Sequence, residues 1–325
     1  MLAISTESRD LPPGDIRQAL FAAAAEFPVD CAARVFKKID STLRGNTGVE
    51  IAAALEAFHC DAAVVCPAFP KLHRVVESGY LRVRNAPEFT PVDVAGRLQL
   101  QAGLACSHIR PEGIAAILSD GTRLVSVEAN CDLDLDCIAA AILPMGRRVL
   151  WAGSAGLASA LARGIGGECA PLTAPARSGA ALFCIGSDHG VTLAQQAALL
   201  AERASVLFHP EGATRESIGG ALALGKHVVL RIPRGLVSMD QVREQINGVP
   251  AAALVLSGGD TASLVCRAAG VQRIELCDEI VPGVPRGILQ GGEFDGVPVA
   301  TKSGGFGDRD TLIQVADFFH ARRDN

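Results

Sequence analysis

The residues best equipped for chemistry lie in short segments where an apolar run gives way to a glycine-bearing turn. The first is Lys37-Lys38-Ile39-Asp40-Ser41-Thr42-Leu43-Arg44-Gly45-Asn46. Between Arg34 and Asn46 it carries four cationic residues against a single acid, Asp40. Cations beside hydroxyls suit a small carboxylate or phosphate, and the N-terminus of a following helix adds N–H donors for the same anion. A second basic stretch sets Lys71, Arg74, Arg82 and Arg84 against Glu77. The competing reading is structural: solvated strand-end lysines, with Ser41 or Thr42 capping a helix. Composition leaves both open.

Three more segments share a strand, turn and helix format. In Leu256-Ser257-Gly258-Gly259-Asp260-Thr261-Ala262 the glycines let backbone approach a phosphate. Asp260 there can hold Mg²⁺, take a proton, or simply cap the helix as its N-cap. Thr301-Lys302-Ser303-Gly304-Gly305-Phe306-Gly307-Asp308 precedes a final helix, and Ile185-Gly186-Ser187-Asp188-His189-Gly190 opens the second half in the same way. Each is weak alone. Three such turns in one domain carry more weight, because βα loops converge on one edge of a parallel sheet.

Two further matches fail on context. Gly220 to His227 approximates a P-loop, but His227 replaces the hydroxyl residue and the predicted helix precedes the strand, which makes its glycine a helix C-cap. Gly153-Ser154-Ala155-Gly156 resembles a hydrolase elbow, yet Ala152 occupies the first glycine position, so Ser154 reads as a helix cap. The seven histidines show no HExxH or i,i+4 pairing, His189 reads as a structural hydrogen-bonder in its turn, and no protein metal cage can be argued.

These turns need a scaffold of βα units. Expected strands are Leu2 to Ser5, Arg34 to Ile39, Ala62 to Cys66, Leu124 to Val127 and Arg148 to Trp151, with helices at Asp15 to Glu26, Gly48 to Phe58, Asp134 to Leu143 and Ser154 to Arg163. Later strands are expected at Ala181 to Ile185, Val206 to His209, His227 to Ile232, Ala253 to Leu256 and Arg273 to Cys277. Glu279 to Gly307 reads as one long Gly/Pro-rich functional loop. At roughly one domain per 150 residues, 325 residues predict two domains. The expected division is 1–165, a linker at 166–177 rich in Gly and Pro, and 178–325. The fold class is α/β, each domain a mainly parallel sheet flanked by helices, with the active site expected in the cleft between them.

Composition narrows the function. Hydrophobic residues make up 49% and charged residues 20%, which excludes a disordered chain. Aromatics are 4%, too few for base-stacking platforms, and a net charge of −5 argues against nucleic acid and membrane surfaces as partners. Ten cysteines without a CxxC pair, and no secretory leader, read as reduced thiols in a cytoplasmic protein.

Taken together, seven stretches make the chain similar to the four-carbon acid sugar kinases: Thr6 to Arg9, Lys37 to Asn46, Cys66 to Pro70, Gly153 to Leu157, Ser257 to Ala262, Glu279 to Pro285 and Thr301 to Gly307. They run in the family's order through nearly the whole chain, and Lys-Ile-Asp-Ser-Thr-Leu-Arg-Gly and Lys-Ser-Gly-Gly-Phe-Gly are specific. The resemblance implies ATP- and Mg²⁺-dependent phosphorylation of the terminal hydroxyl of a sugar acid such as threonate, erythronate or an oxo-tetronate, with the wording of Lys38 to Gly45 nearer the threonate and erythronate branch. It implies that the N-terminal domain holds the acid through Arg9, Lys38, Ile39, Asp40, Ser41 and Arg44. The C-terminal domain would hold ATP through Ser187, Gly258, Gly259, Asp260, Thr261, Lys302, Gly304, Gly305 and Gly307. Asp260 is the first candidate for catalytic base or metal contact and Asp40 the second. A small anionic acid and ATP are the expected partners, with a homodimer as the assembly considered.

Two departures stand out. The family usually opens with a strand and an Ala-Asp-Asp-Leu-Thr-Gly-Ala-like turn, and this sequence starts after it, about 40 to 60 residues short by the size of one or two βα units. The expected result is a first sheet lacking a central strand. The turn Gly186 to Gly190 also lacks the family's second serine. Rival readings are a non-catalytic ATP-binding relative and a nicotinamide-linked dehydrogenase, the latter weakened by the absence of GxGxxG after a strand.

Overall fold

The computed structural model describes residues 3–26, 34–145, 148–166 and 179–320. The chain divides into two compact units, Met1–Glu168 and Cys169–Asn325. Residues 167–177 of the expected linker lie outside the described residues, as does Leu2. The rest of the expected opening strand is not one: residues 3–7 pair with no strand and lead into a 3-10 turn, Ser8–Asp10. Glu7 adopts a left-handed φ of 49°, which a strand does not accommodate, and the hydroxyls of Thr6 and Ser8 bond each other at 2.7 Å.

In the first unit the strands are β1 (Val35–Lys38), β2 (Ala62–Cys66), β3 (Arg74–Glu77), β4 (Tyr80–Val83), β5 (Val92–Asp93), β6 (Cys106–Ile109), β7 (Leu124–Val127) and β8 (Val149–Gly153). Its helices are α1 (Pro13–Ala25), α2 (Thr47–Ala57), α3 (Val94–Ala102), α4 (Ile114–Ser119), α5 (Asp132–Ile142) and α6 (Ala155–Ile165). Five strands form a parallel sheet in the order β1-β8-β2-β7-β6. Every residue of β2, β7 and β8 is buried, as parallel strands covered on both faces require. The sheet is continuous, with β1 and β6 as its edges. β3, β4 and β5 form a small antiparallel sheet beyond β2, an element the sequence pattern did not announce.

The second unit contains β9 (Ala181–Ile185), β10 (Ser205–Phe208), β11 (His227–Arg231), β12 (Ala253–Ser257), β13 (Arg273–Val281), β14 (Val284–Gln290) and β15 (Pro298–Lys302). They order as β10-β11-β9-β12-β15-β14-β13, parallel from β10 to β15 and antiparallel across β14 and β13. The helices are α7 (Gly190–Glu202), α8 (Arg215–Ala223), α9 (Met239–Ile246), α10 (Gly259–Ala268) and α11 (Thr311–His320). The expected long loop at 279–307 is therefore mostly sheet. Its glycines and prolines misled because they serve strand packing: Gly287 lies mid-strand with Glu275 O 2.5 Å from where a Cβ would sit, and Pro298 is the first residue of β15.

Both rejected motifs behave as their context indicated. Gly225 follows α8 with φ 74°, and the Ser154 hydroxyl caps α6, accepting from Gly156 N at 3.1 Å. No helix among the described residues is long and apolar enough to cross a membrane.

Candidate active site

In the first unit the loops that follow β1, β2 and β8 lie at one sheet edge, where ligands meet parallel sheets. β1 ends on Lys38, whose Nζ donates to Ile39 O at 2.8 Å. Burial holds this ammonium below its ordinary range; Asp40 opposes that shift, and the nearby cations Lys37 and Arg9 add to it. Asp40 Oδ2 accepts from Arg44 Nε and Nη2 at 3.2 and 2.7 Å, and Oδ1 from the Thr42 amide and hydroxyl at 2.9 and 2.5 Å. Burial works against its charge, but the hydrogen bonds from Arg44 and Thr42 outweigh burial and keep the carboxyl well below the usual carboxylate range. Ser41 and Thr42 cap nothing, since the N-cap of α2 is Asn46. Its amide reaches back to Leu11 O at 3.0 Å.

A buried acid supports this loop from beneath. Glu50, in the first turn of α2, accepts from Ser8 Oγ at 2.5 Å and pairs with Lys37 Nζ at 3.0 Å. The segment 8–10 is thereby tied to β1 and α2, and Arg9 packs against Gly45, where a Cβ would stand 2.6 Å from Arg9 Cγ. Arg74, at the start of β3, lies in the field of Asp40 and Arg44; it donates to Leu72 O at 2.9 Å while its Nε is buried without a partner.

In the second unit the three glycine turns follow β9, β12 and β15, which are adjacent and parallel, so the turns meet. Gly258 is the N-cap of α10 with φ 109°, a conformation glycine tolerates; Asp260 is therefore not the cap but an exposed first-turn residue. Its Oδ2 stands 3.1 Å from Arg234 Nε. A side chain at Gly186 would strike Thr261 and Ile232, and one at Gly304 would strike the Ser187 hydroxyl. Ser187 Oγ accepts from His189 N at 3.2 Å, and His189 Nδ1 caps α7 by accepting from Val191 N at 3.3 Å. Arg231, buried at the end of β11, steadies this turn by donating to Ser187 O and Asp188 Oδ1 at 3.3 and 2.7 Å. The result is a set of closely packed turns fronted by the N-termini of two helices, which suits a polyphosphate.

Comparison with known proteins bears directly on these two edges. A family described as a sugar-binding N-terminal domain matches residues 1–161, and a nucleotide-binding C-terminal domain matches residues 231–312. The D-threonate kinase of Bordetella bronchiseptica is 32% identical over 361 aligned positions, covering 99% of this chain and 87% of that protein. The chain belongs to the four-carbon acid sugar kinase family. A D-erythronate kinase from Heliobacterium modesticaldum is 28% identical, with 100% of this chain and 88% of that protein covered. A crystal structure of a Haemophilus influenzae protein shares the fold, with a TM-score of 0.71 at 19% identity over 97% of this chain and 89% of that one.

Within this sugar kinase, the residues expected from sequence fall into two clusters, one per unit. Lys38, Ile39, Asp40, Ser41 and Arg44 share one loop with Arg9 packed on it. Ile39 is buried, so its main chain is what it offers a ligand; its carbonyl already holds Lys38. Ser187, Gly258, Gly259, Asp260, Thr261, Gly304, Gly305 and Gly307 lie on the three converging turns, and Thr261 is buried against Gly186 and Gly258. Lys302 differs from the rest: it is 3% exposed and faces inward. Sequence reasoning singled out Arg74 only as part of the second basic stretch and passed over Glu50, Thr192, Gln195 and Arg231. Glu50 had a signal, an acid set between Val49 and the apolar run Ile51 to Leu55; Gln195 had none.

Proposed function

We propose that the protein transfers the terminal phosphate of ATP to the 4-hydroxyl of a four-carbon sugar acid such as D-threonate or D-erythronate. The observation that carries this reading is the pairing of two unlike anion sites in one chain of this family: a cationic loop in the sugar-binding unit and a glycine-turn surface in the nucleotide-binding unit. Relatives named for D-threonate and D-erythronate support the acid.

On this reading Arg9, Lys38 and Arg44 neutralise the acid's carboxylate, and Ser41 meets its hydroxyls. The main-chain donors of Gly258, Gly259, Gly304, Gly305 and Gly307 receive the phosphates, with Thr261 and Ser187 beside them. Phosphoryl transfer then asks mainly for positioning, charge neutralisation and a proton acceptor. Asp260 is the acceptor or metal contact we favour, being exposed on the first turn of α10. Asp40 is assigned to shaping the acid loop, because a carboxylate held ionised by Arg44 and Thr42 is a poor base. Mg²⁺ usually takes one or two carboxylates plus phosphate oxygens and water, a demand Asp260 fits. Bound there it would neutralise charge on the nucleotide.

ADP release is the test, measured with D-threonate, D-erythronate and 3-oxo-tetronate in turn. Saturable, acid-dependent release with the first or second acid is expected. ATP binding with no release on any acid would leave the non-catalytic reading instead.

A further inference from the structure

Lys302 closes β15, and its ammonium is spent inside the protein. Nζ donates to Ser303 O at 2.9 Å and Phe306 O at 3.2 Å, and lies 3.3 Å from Thr192 Oγ1 and 3.5 Å from Gly304 O. Two side chains of α7 reinforce the arrangement. Thr192 Oγ1 donates to Gly304 O at 2.6 Å, and Gln195 Nε2 donates to Phe306 O and Asp308 O at 3.0 and 2.6 Å. All of these acceptors in the 303–308 loop are main-chain carbonyls.

A trans peptide points its C=O and N–H in opposite directions, and the described residues contain no cis bond. Drawing the carbonyls of Ser303, Gly304 and Phe306 inward therefore turns the N–H groups of Gly304, Gly305 and Gly307 outward. Among the described residues none of these three donates to a protein carbonyl. Outward N–H groups so closely spaced form a concave anion cradle. The cradle fronts on the turn after β9, since Gly304 abuts Ser187 and Gly305 abuts His189.

We infer that Lys302 is a positioning residue: from within the fold it holds the 303–308 loop so that the amides of Gly304, Gly305 and Gly307 face a phosphate, without touching the nucleotide itself. This rests on the reading of the second unit as the ATP site. Burial pulls the Lys302 ammonium down to about 8, the direction expected of a cation taken out of water.

The test compares wild type, Lys302→Met and Thr192→Val by ATP titration, steady-state kinetics and amide hydrogen exchange of the loop in ligand-free protein. Losing several charge-assisted bonds predicts roughly 10- to 100-fold weaker ATP binding for Lys302→Met, with KM for the sugar acid unchanged. Thr192→Val, which keeps the ammonium, is expected to weaken ATP several-fold in the same direction. Exchange of the Phe306 amide, which donates to Ser303 O within the loop at 3.1 Å, should accelerate in both. A lysine of merely general structural value would lower Tm and leave the KM for ATP of the folded enzyme unchanged, which overturns the inference. A lysine that contacts phosphate directly would leave Thr192→Val at wild-type affinity, which also overturns it. Should Lys302→Met not fold, Thr192→Val decides. If wild type binds no ATP the nucleotide reading falls, while unaltered loop exchange in the variants would separately refute the staple.

Discussion

At the sheet edge of the first unit Arg9, Lys38, Arg44 and Arg74 gather around the loop of Asp40, and a buried acid, Glu50, holds the framework below. At the edge of the second unit main-chain amides face outward and a buried cation, Lys302, holds them from below. The sign of the hidden charge is reversed between the two. Side-chain cations give a strong, long-reaching attraction suited to a small acid with a single carboxylate, and they demand a counter-charge to keep them in place. Backbone donors carry only partial charges, but many fit around one polyphosphate, and their geometry is set by whatever grips the carbonyls.

Asp260→Asn removes the proposed proton acceptor and is expected to lower kcat by roughly 10²- to 10⁴-fold with little change in sugar-acid affinity. Near-normal turnover in an ADP-release assay would remove Asp260 from that role. Arg9→Met tests the cationic edge: KM for the acid should rise roughly 10- to 100-fold while KM for ATP stays put. If both constants rose together, the division of labour between the units would be wrong. Gly304→Ala tests the backbone edge, because its methyl would strike the Ser187 hydroxyl; about a tenfold rise in KM for ATP, with acid affinity intact, is expected from a displaced cradle.

The smallest effect is one of pH. Lys302 ionises at about 8 in the folded chain, below its ordinary 10.5, so between those values the unfolded chain holds more protons. This group therefore makes folding more favourable as pH rises through that window, even as the loop loses its cation. ATP affinity should fall several-fold between about pH 7 and pH 9.5 with no matching drop in Tm from this residue. Parallel loss of both would point to general unfolding rather than to the staple.

Much of the scaffold was legible because βα units announce themselves by period. The strands Ala62–Cys66, Leu124–Val127 and Ala181–Ile185 have the expected bounds, since fully buried parallel strands read as mainly apolar runs, broken here only by Ser126. Element types were harder where one residue serves two grammars. Gly287 and Pro298 signal turns in sequence yet sit in strands, because close strand packing also selects glycine and a strand's first residue accepts proline. The cationic and glycine-rich segments stood out by composition. Which way a side chain points did not: Lys37 and Lys38 are neighbours of one type, but Lys37 turns to buried Glu50 while Lys38 stays at the loop. Lys302 likewise stands beside glycines as a phosphate ligand would, yet its ammonium is bonded to main-chain carbonyls.

Because Lys302, Thr192 and Gln195 grip the loop from Ser303 to Asp308 only by its main-chain oxygens, that loop is addressed by shape rather than by spelling. The exposed Ser303 side chain carries little of the information that sets the loop's form, whereas Asp308 ties its end to α11 by accepting from Asp310 N and Thr311 Oγ1. A saturation library over this stretch would show a comb: tolerance at Ser303, intolerance at the glycines. Three gripping residues and three glycines would then make a transplantable unit for engineering an anion cradle onto another parallel sheet.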